Sequence, residues 1–193
     1  MSPAPKAPVK LTYDDLVRLP DDGKRHEIID GVHFVTPSPN TKHQVVAANL
    51  FMALGAYLKA QPVGAVFFAP FDVLFSRFDV VEPDLLYISK ARRDVLTENN
   101  VQGAPDLVVE ILSPGTRKRD TTLKSTLYER GGVNEYWVVD PRQDRIRVFR
   151  RTADDVFVSA AELLAERGDV LTSPLFPGLS VPLTEIFAPA LPL

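Results

Sequence analysis

The chain has 193 residues, 45% hydrophobic and 24% charged, with no cysteine and a net charge of −3. That length suits one domain with a sizeable core, and the missing cysteine excludes disulfides, a thiolate zinc site and a cysteine nucleophile. No apolar run approaches the roughly 20 residues of a membrane helix. An acidic balance argues against a general nucleic-acid coat protein, although local basic patches can still meet phosphates.

Residues 1–10 (MSPAPKAPVK) lack an apolar signal-peptide core, and their Pro/Ala content predicts a disordered lead-in. A cytoplasmic location and a single domain over 11–193 are the expectations. Residues 11–19 predict a short helix with Thr12 as N-cap and Asp14 and Asp15 in the first turn; a turn at 20–23 (PDDG) ends it. The segment 25–35 (RHEIIDGVHFV) predicts a hairpin about Asp30-Gly31, a type I′ signal. Residues 42–60 carry the strongest helical period, with a T-x-x-Q capping box at Thr41 and Gln44.

Residues 65–76 read as one interrupted strand or two, 84–89 and 106–112 as two more, and 90–100 as irregular or a short helix. A helix over 119–130 stops at Gly131-Gly132. Strands follow at 135–140 and 145–151, then a short helix at 159–167 and a Pro-rich tail. This order predicts an α/β domain with a mixed central sheet flanked by helices.

Two acids interrupt otherwise apolar strands, where a charge is costly unless it is needed. Asp84 opens the strand within VVEPDLLYIS, and Glu110 lies within APDLVVEILSPG. Strand parity gives Glu110 apolar neighbours on its own face, and pairing of the two strands would bring the carboxylates together at one end. Lys124 and Tyr128, four apart on the following helix, share a face. Two acids and a lysine can hold a divalent cation and neutralise charge on a phosphodiester undergoing hydrolysis. Glu27 is a candidate third carboxylate. His43, at the start of the long helix, lies where an anion is favoured. Arg117, Lys118 and Arg119 form the best basic cluster and are candidate phosphate contacts.

Each candidate also has a plain structural reading. Asp84 can be an ordinary strand entry, Glu110 can pair with a core cation, and Lys124 can pair with Asp120 four residues earlier. Glu27 can pair with Arg25 or Lys24, and His43 can be a packed helix-start histidine. The arginine-rich loop can be solvated, as can Lys90, Arg92 and Arg93 and the strand face of Arg145 and Arg147.

RHEIIDG, PSPNTKHQ, VVEPDLLYIS, APDLVVEILSPGTRKRD, K-x3-Y and GVNEYWVVDP together resemble the Uma2 family of the PD-(D/E)XK, or restriction-endonuclease-like, superfamily, over about residues 11–187. The resemblance implies a restriction endonuclease-like core and a Mg²⁺ or Mn²⁺ site on Asp84 and Glu110, with Glu27 as an early acid and Lys124 as the lysine. The superfamily's usual lysine position, two residues after the second acid, holds Leu112. A metal-dependent endonuclease acting on nucleic acid, with DNA as the expected substrate, is the resulting expectation. A homodimer follows by analogy. The alternatives are a non-catalytic binding module on the same fold and a phosphodiesterase for small nucleotides.

Overall fold

The computed structural model describes residues 9–190, so the expected lead-in over residues 1–10 falls, as far as residue 8, outside the described part. Helix α1 (Tyr13–Leu16) starts at Thr12, whose backbone N–H and hydroxyl both donate to Asp15 Oδ2, at 2.9 and 2.7 Å. Strands β1 (Arg25–Ile29) and β2 (Val32–Thr36) form the expected hairpin. Its turn residues Asp30 and Gly31 have φ of 51° and 76°, the type I′ requirement.

Helix α2 (Thr41–Ala60) buries Val46, Leu50, Leu54 and Leu58, spaced four apart on one stripe. Its cap is Asn40 and not the Thr41 box: Asn40 Oδ1 accepts the His43 N–H at 2.9 Å. Thr41 is already helical, so it cannot occupy the extended N-cap conformation. Replacing Asn40 with Ala is therefore expected to lower stability by about 1 kcal/mol in urea denaturation. Thr41→Ala should leave the midpoint nearly unchanged, and the opposite ranking would contradict this cap.

The segment 65–76 divides into β3 (Gly64–Phe68) and β4 (Val73–Ser76), separated by a cis Ala69–Pro70 bond, and the halves enter different sheets. Strand β5 (Asp79–Val81) precedes β6 (Leu85–Ser89), and a 3-10 helix (Lys90–Val95) leads to β7 (Val101–Gln102) and β8 (Leu107–Ile111). A continuous helical stretch follows: α3 (Arg117–Arg119), a π-helical turn (Asp120–Lys124) and α4 (Ser125–Gly131). Gly132 ends it with φ 94°, left-handed and costly for any residue with a Cβ.

Strands β9 (Glu135–Asp140) and β10 (Arg145–Arg151) stand where expected. The helix expected over 159–167 is instead β11 (Phe157–Leu164) followed by a 3-10 turn (Ala165–Arg167). Tertiary pairing overrides the local reading: β11 runs antiparallel to β10 over its whole length. Strands β12 (Val170–Leu171) and β13 (Val181–Pro182) and helix α5 (Leu183–Ile186) complete the order.

A six-stranded mixed sheet, β11-β10-β9-β8-β6-β3, is parallel between β8 and β9. A second sheet has the order β2-β1-β5-β4-β7. Alternation along β6 and β8 sends Leu85, Tyr87, Leu107, Val109 and Ile111 into the core beneath α2. Leu86, Ile88, Val108 and Leu112 enter a second core with α4 and residues of the other sheet. Glu110 shares this second face by parity, so it looks from the six-stranded sheet toward β1 and the π turn. Leu112, 4% exposed, is committed to that core.

Of the two basic groups expected to be solvated, Lys90 and Arg93 are exposed, but Arg92 and Arg145 are held. Arg92 donates to the carbonyls of Ala104 and Gly132, at 3.2 Å each, and Arg145 lies 3.8 Å from Asp140. Long arginine stems cover neighbouring surface while their forks satisfy carbonyls and acids that would otherwise lack donors.

Candidate active site

β6 and β8 pair antiparallel with Leu85 opposite Val109, which places Asp84, one residue before β6, beside the C-terminal end of β8. The Ile111 N–H donates to Asp84 Oδ2 at 2.8 Å. His43, on the first turn of α2, contacts the same oxygen through Nε2 at 3.1 Å, and Arg25 donates to Oδ1 at 2.8 Å. Burial opposes ionisation of Asp84, but His43, Arg25 and the Ile111 amide together hold its pKa down at about 2.

Glu110 Oε1 accepts from Lys124 Nζ at 2.8 Å and from the Tyr128 hydroxyl at 2.5 Å. Lys124 Nζ also stands 2.5 Å from Glu27 Oε1 and 3.9 Å from Asp120 Oδ1. Glu27 further accepts the Glu82 N–H at 3.0 Å and pairs with Arg119 at 3.2 Å. Lys124 is 2% exposed and Glu27 1%, so this is a buried network. One ammonium faces three carboxylates. Burial works against the charge on Lys124, yet Glu110, Glu27 and Asp120 hold its pKa well above the usual lysine range. Burial, with the charges of Asp120, Asp84 and Glu27, outweighs Lys124 and pushes Glu110 up to about 8.

These side chains line a cavity of about 180 Å³ between the loop 36–40 and the loop 112–116. The candidates Asp84, Glu110, Lys124, Glu27, His43 and Arg119 all border it. Arg117 and Lys118 do not. Arg117 grips Asp140 with both Nη atoms, at 2.8 and 2.9 Å, and Lys118 is exposed. Consecutive helical residues point about 100° apart, so a run of three bases cannot address one site.

Several of the plain readings describe real contacts. Glu110 does pair with a core cation, and Lys124 does approach Asp120. Glu27 contacts neither Arg25 nor Lys24 among the described residues; its cations are Lys124 and Arg119, distant in sequence. Arg25 and Asp120 were not among the sequence candidates, although both border the cavity. Arg25 could have been found by parity, since it shares a strand face with Glu27 two residues away.

The donors suit a hard divalent cation. They are carboxylate oxygens, and among the described residues nothing donates to Glu110 Oε2, while Asp84 Oδ1 has the Arg25 bond alone. The buried oxygen Asp120 Oδ1 also lacks a hydrogen-bond donor. Four acids, Glu27, Asp84, Glu110 and Asp120, outnumber the cations Arg25, Arg119 and Lys124 around one cavity. Among the described residues no three metal-binding side chains form a ready cage.

A family model for Uma2, described as "Putative restriction endonuclease", matches residues 13–184. Among solved structures, the chain is similar to one described as "a putative nuclease belonging to DUF820" from Anabaena variabilis ATCC 29413, with 20% sequence identity and a TM-score of 0.76. The match covers 92% of this chain and 97% of that one, and at such identity it concerns the fold: mixed sheets flanked by helices. No curated protein matches. Among the described residues no helix is long and apolar enough to cross a membrane.

Proposed function

The chain belongs to the Uma2 family, and from that premise we propose that it is a divalent-metal-dependent endonuclease acting on DNA, built as one restriction endonuclease-like domain over residues 11–193. The observation that carries the reading is the meeting of Asp84 just before β6, Glu110 in β8 and Lys124 in the π turn at one small cavity. Asp84 and Glu110 would hold Mg²⁺ or Mn²⁺. When bound, such an ion polarises the phosphate and lowers the pKa of a coordinated water.

The chain's own groups then have distinct tasks. His43 and the Ile111 amide fix Asp84 through Oδ2, and Arg25 holds Oδ1. Tyr128 and Lys124 fix Glu110 through Oε1 and leave Oε2 available. Lys124 thus acts first as a positioning residue, and its charge stands ready for the phosphate. Arg119, lining the same cavity and tied to Glu27 and Thr36, adds positive charge where phosphate oxygens must sit.

The test is supercoiled plasmid with purified protein in EDTA, Mg²⁺ or Mn²⁺. Cleavage is expected only with metal and is expected to be lost in Asp84→Asn. Cleavage unaffected by EDTA, or no cleavage with either ion, would overturn the proposal. One observation favours a second reading, a non-catalytic module: Asp84 and Glu110 already have protein cations as partners. Calorimetry separates the two, because an inert module shows no Mn²⁺ binding that depends on Asp84.

A further inference from the structure

Among the described residues Phe68 is the one aromatic side chain that is more exposed than buried, at 59% exposure. Burial is the usual fate of an aromatic ring, and here every other one follows it at least in part. Its position is tied to the candidate active site through backbone pairing. Phe68 lies directly opposite Leu85 across β3 and β6, and the Ala69 N–H donates to the carbonyl of Asp84 at 3.1 Å. Phe51 braces the ring edge-on at 4.9 Å with an interplanar angle of 79°. The ring is therefore fixed in place and open to solvent.

Phe68 borders a groove of about 440 Å³ that shares Arg25, His43 and Asp84 with the catalytic cavity. Two further residues of that groove suit a nucleotide. Gln44 is exposed on the first turn of α2, and its amide makes no hydrogen bond among the described residues, since Asn40 does the capping. An amide offers both a donor and an acceptor to a base edge. Lys24, an exposed cation paired with Asp22 at 3.0 Å, lines the same groove.

Building on the nuclease reading above, we propose that Phe68 is a stacking platform for an unpaired base next to the scissile phosphate, so that the preferred substrate is single-stranded or locally unpaired DNA. A base in a continuous duplex has no free face to offer. An unpaired one gains a π contact that any base can make, with Gln44 at its edge.

The test uses the full chain, Ca²⁺ in place of Mg²⁺ to hold back turnover, and fluorescence anisotropy with a labelled single-stranded deoxyoligonucleotide and the same sequence as blunt duplex. Phe68→Ala is expected to weaken single-strand binding roughly 5- to 150-fold, the range for loss of one base–aromatic stack. Duplex binding should change less than about twofold by the same reasoning. Phe68→Leu should stay weak and Phe68→Trp should match the wild type; both retain a large side chain against Phe51, which guards against misfolding. The indole introduced by Phe68→Trp should also be quenched by single strand, since the native Trp137 is fully buried.

Single-strand affinity unchanged in Phe68→Ala, an equal loss on duplex, or full rescue by Phe68→Leu would each overturn the platform. In those cases metal-dependent cleavage lost with Asp84→Asn leaves the nuclease reading standing. Binding of neither probe, with no cleavage in Mg²⁺ or Mn²⁺, overturns both.

Discussion

Glu110→Gln is expected to abolish cleavage and, in EDTA near pH 8, to leave a protein more stable than the wild type. The loss of activity should exceed the roughly 10- to 100-fold typical of altering a group behind a ligand, because here the proposed ligand itself is neutralised. The gain in stability follows from crowding. Burial and the nearby Asp120, Asp84 and Glu27 push Glu110 up to about 8 from an ordinary 4.5. Between those values the folded state holds a proton that the unfolded state has released, so stability falls as pH rises through that window. Below about pH 4.5 both states are protonated and Glu110 contributes no slope.

Glutamine keeps the shape and carries no charge at any pH, so the variant should lack this fall. Added Mn²⁺ should raise the wild type's urea midpoint near pH 8, because a ligand that binds only the folded state stabilises it. The variant should respond far less. The check is urea denaturation at about pH 5 and about pH 8, with EDTA or Mn²⁺, for both proteins. A difference between wild type and variant that stays constant across that range would show that Glu110 is not under this pressure.

The strands that carry the acids are legible in the sequence because an acid inside an apolar run is conspicuous, and parity then assigns faces. Asp84 and Glu110 converge through the pairing of Leu85 with Val109, which two short strands permit but do not require. The partners of Glu27 are not legible in the same way. Local spacing offers Arg25 and Lys24, whereas the cations come from the helical stretch almost a hundred residues later. The position two residues after Glu110 holds Leu112. That position faces a core with Leu127 and Tyr128, while the π turn carries Lys124 to the same carboxylate from the other side. A π turn has no simple sequence signal, and such turns occur often at functional sites. The cap of α2 is ambiguous in the sequence because Asn40 and Thr41 are both good caps and the choice between them is local, whereas the fate of 159–167 is decided by distant pairing with β10.

Lys124→Met should be the most destabilising single change at this site. The thioether chain matches much of the lysine stem, so packing is largely kept and the charge alone is lost. Glu27, Glu110 and Asp120, at 1%, 3% and 2% exposure, then lose their shared ammonium. Arg119 continues to serve Glu27, but no second cation contacts Glu110 among the described residues. Removing one partner from a buried ion pair costs about 3–5 kcal/mol. For a chain of this size that lowers Tm by roughly 6–20 °C. If Lys124 served only a helix-surface pair with Asp120, the loss would stay below about 1 kcal/mol. Because the three acids hold the Lys124 pKa well above its ordinary 10.5, its stabilising contribution is fully present below that value and is lost only as pH rises through the higher folded one. Any pH dependence of the variant's deficit near neutrality must therefore come from the acids it leaves behind. The deficit should shrink as pH falls and the carboxylates take up protons. Above about pH 8, where the wild-type Glu110 is ionised beside the ammonium, adding Glu110→Gln to Lys124→Met should recover a large part of it. Thermal unfolding of the two single variants and the double variant measures that coupling. Additive losses would mean that Lys124 and Glu110 act independently, and would remove the lysine from its place beside the second acid.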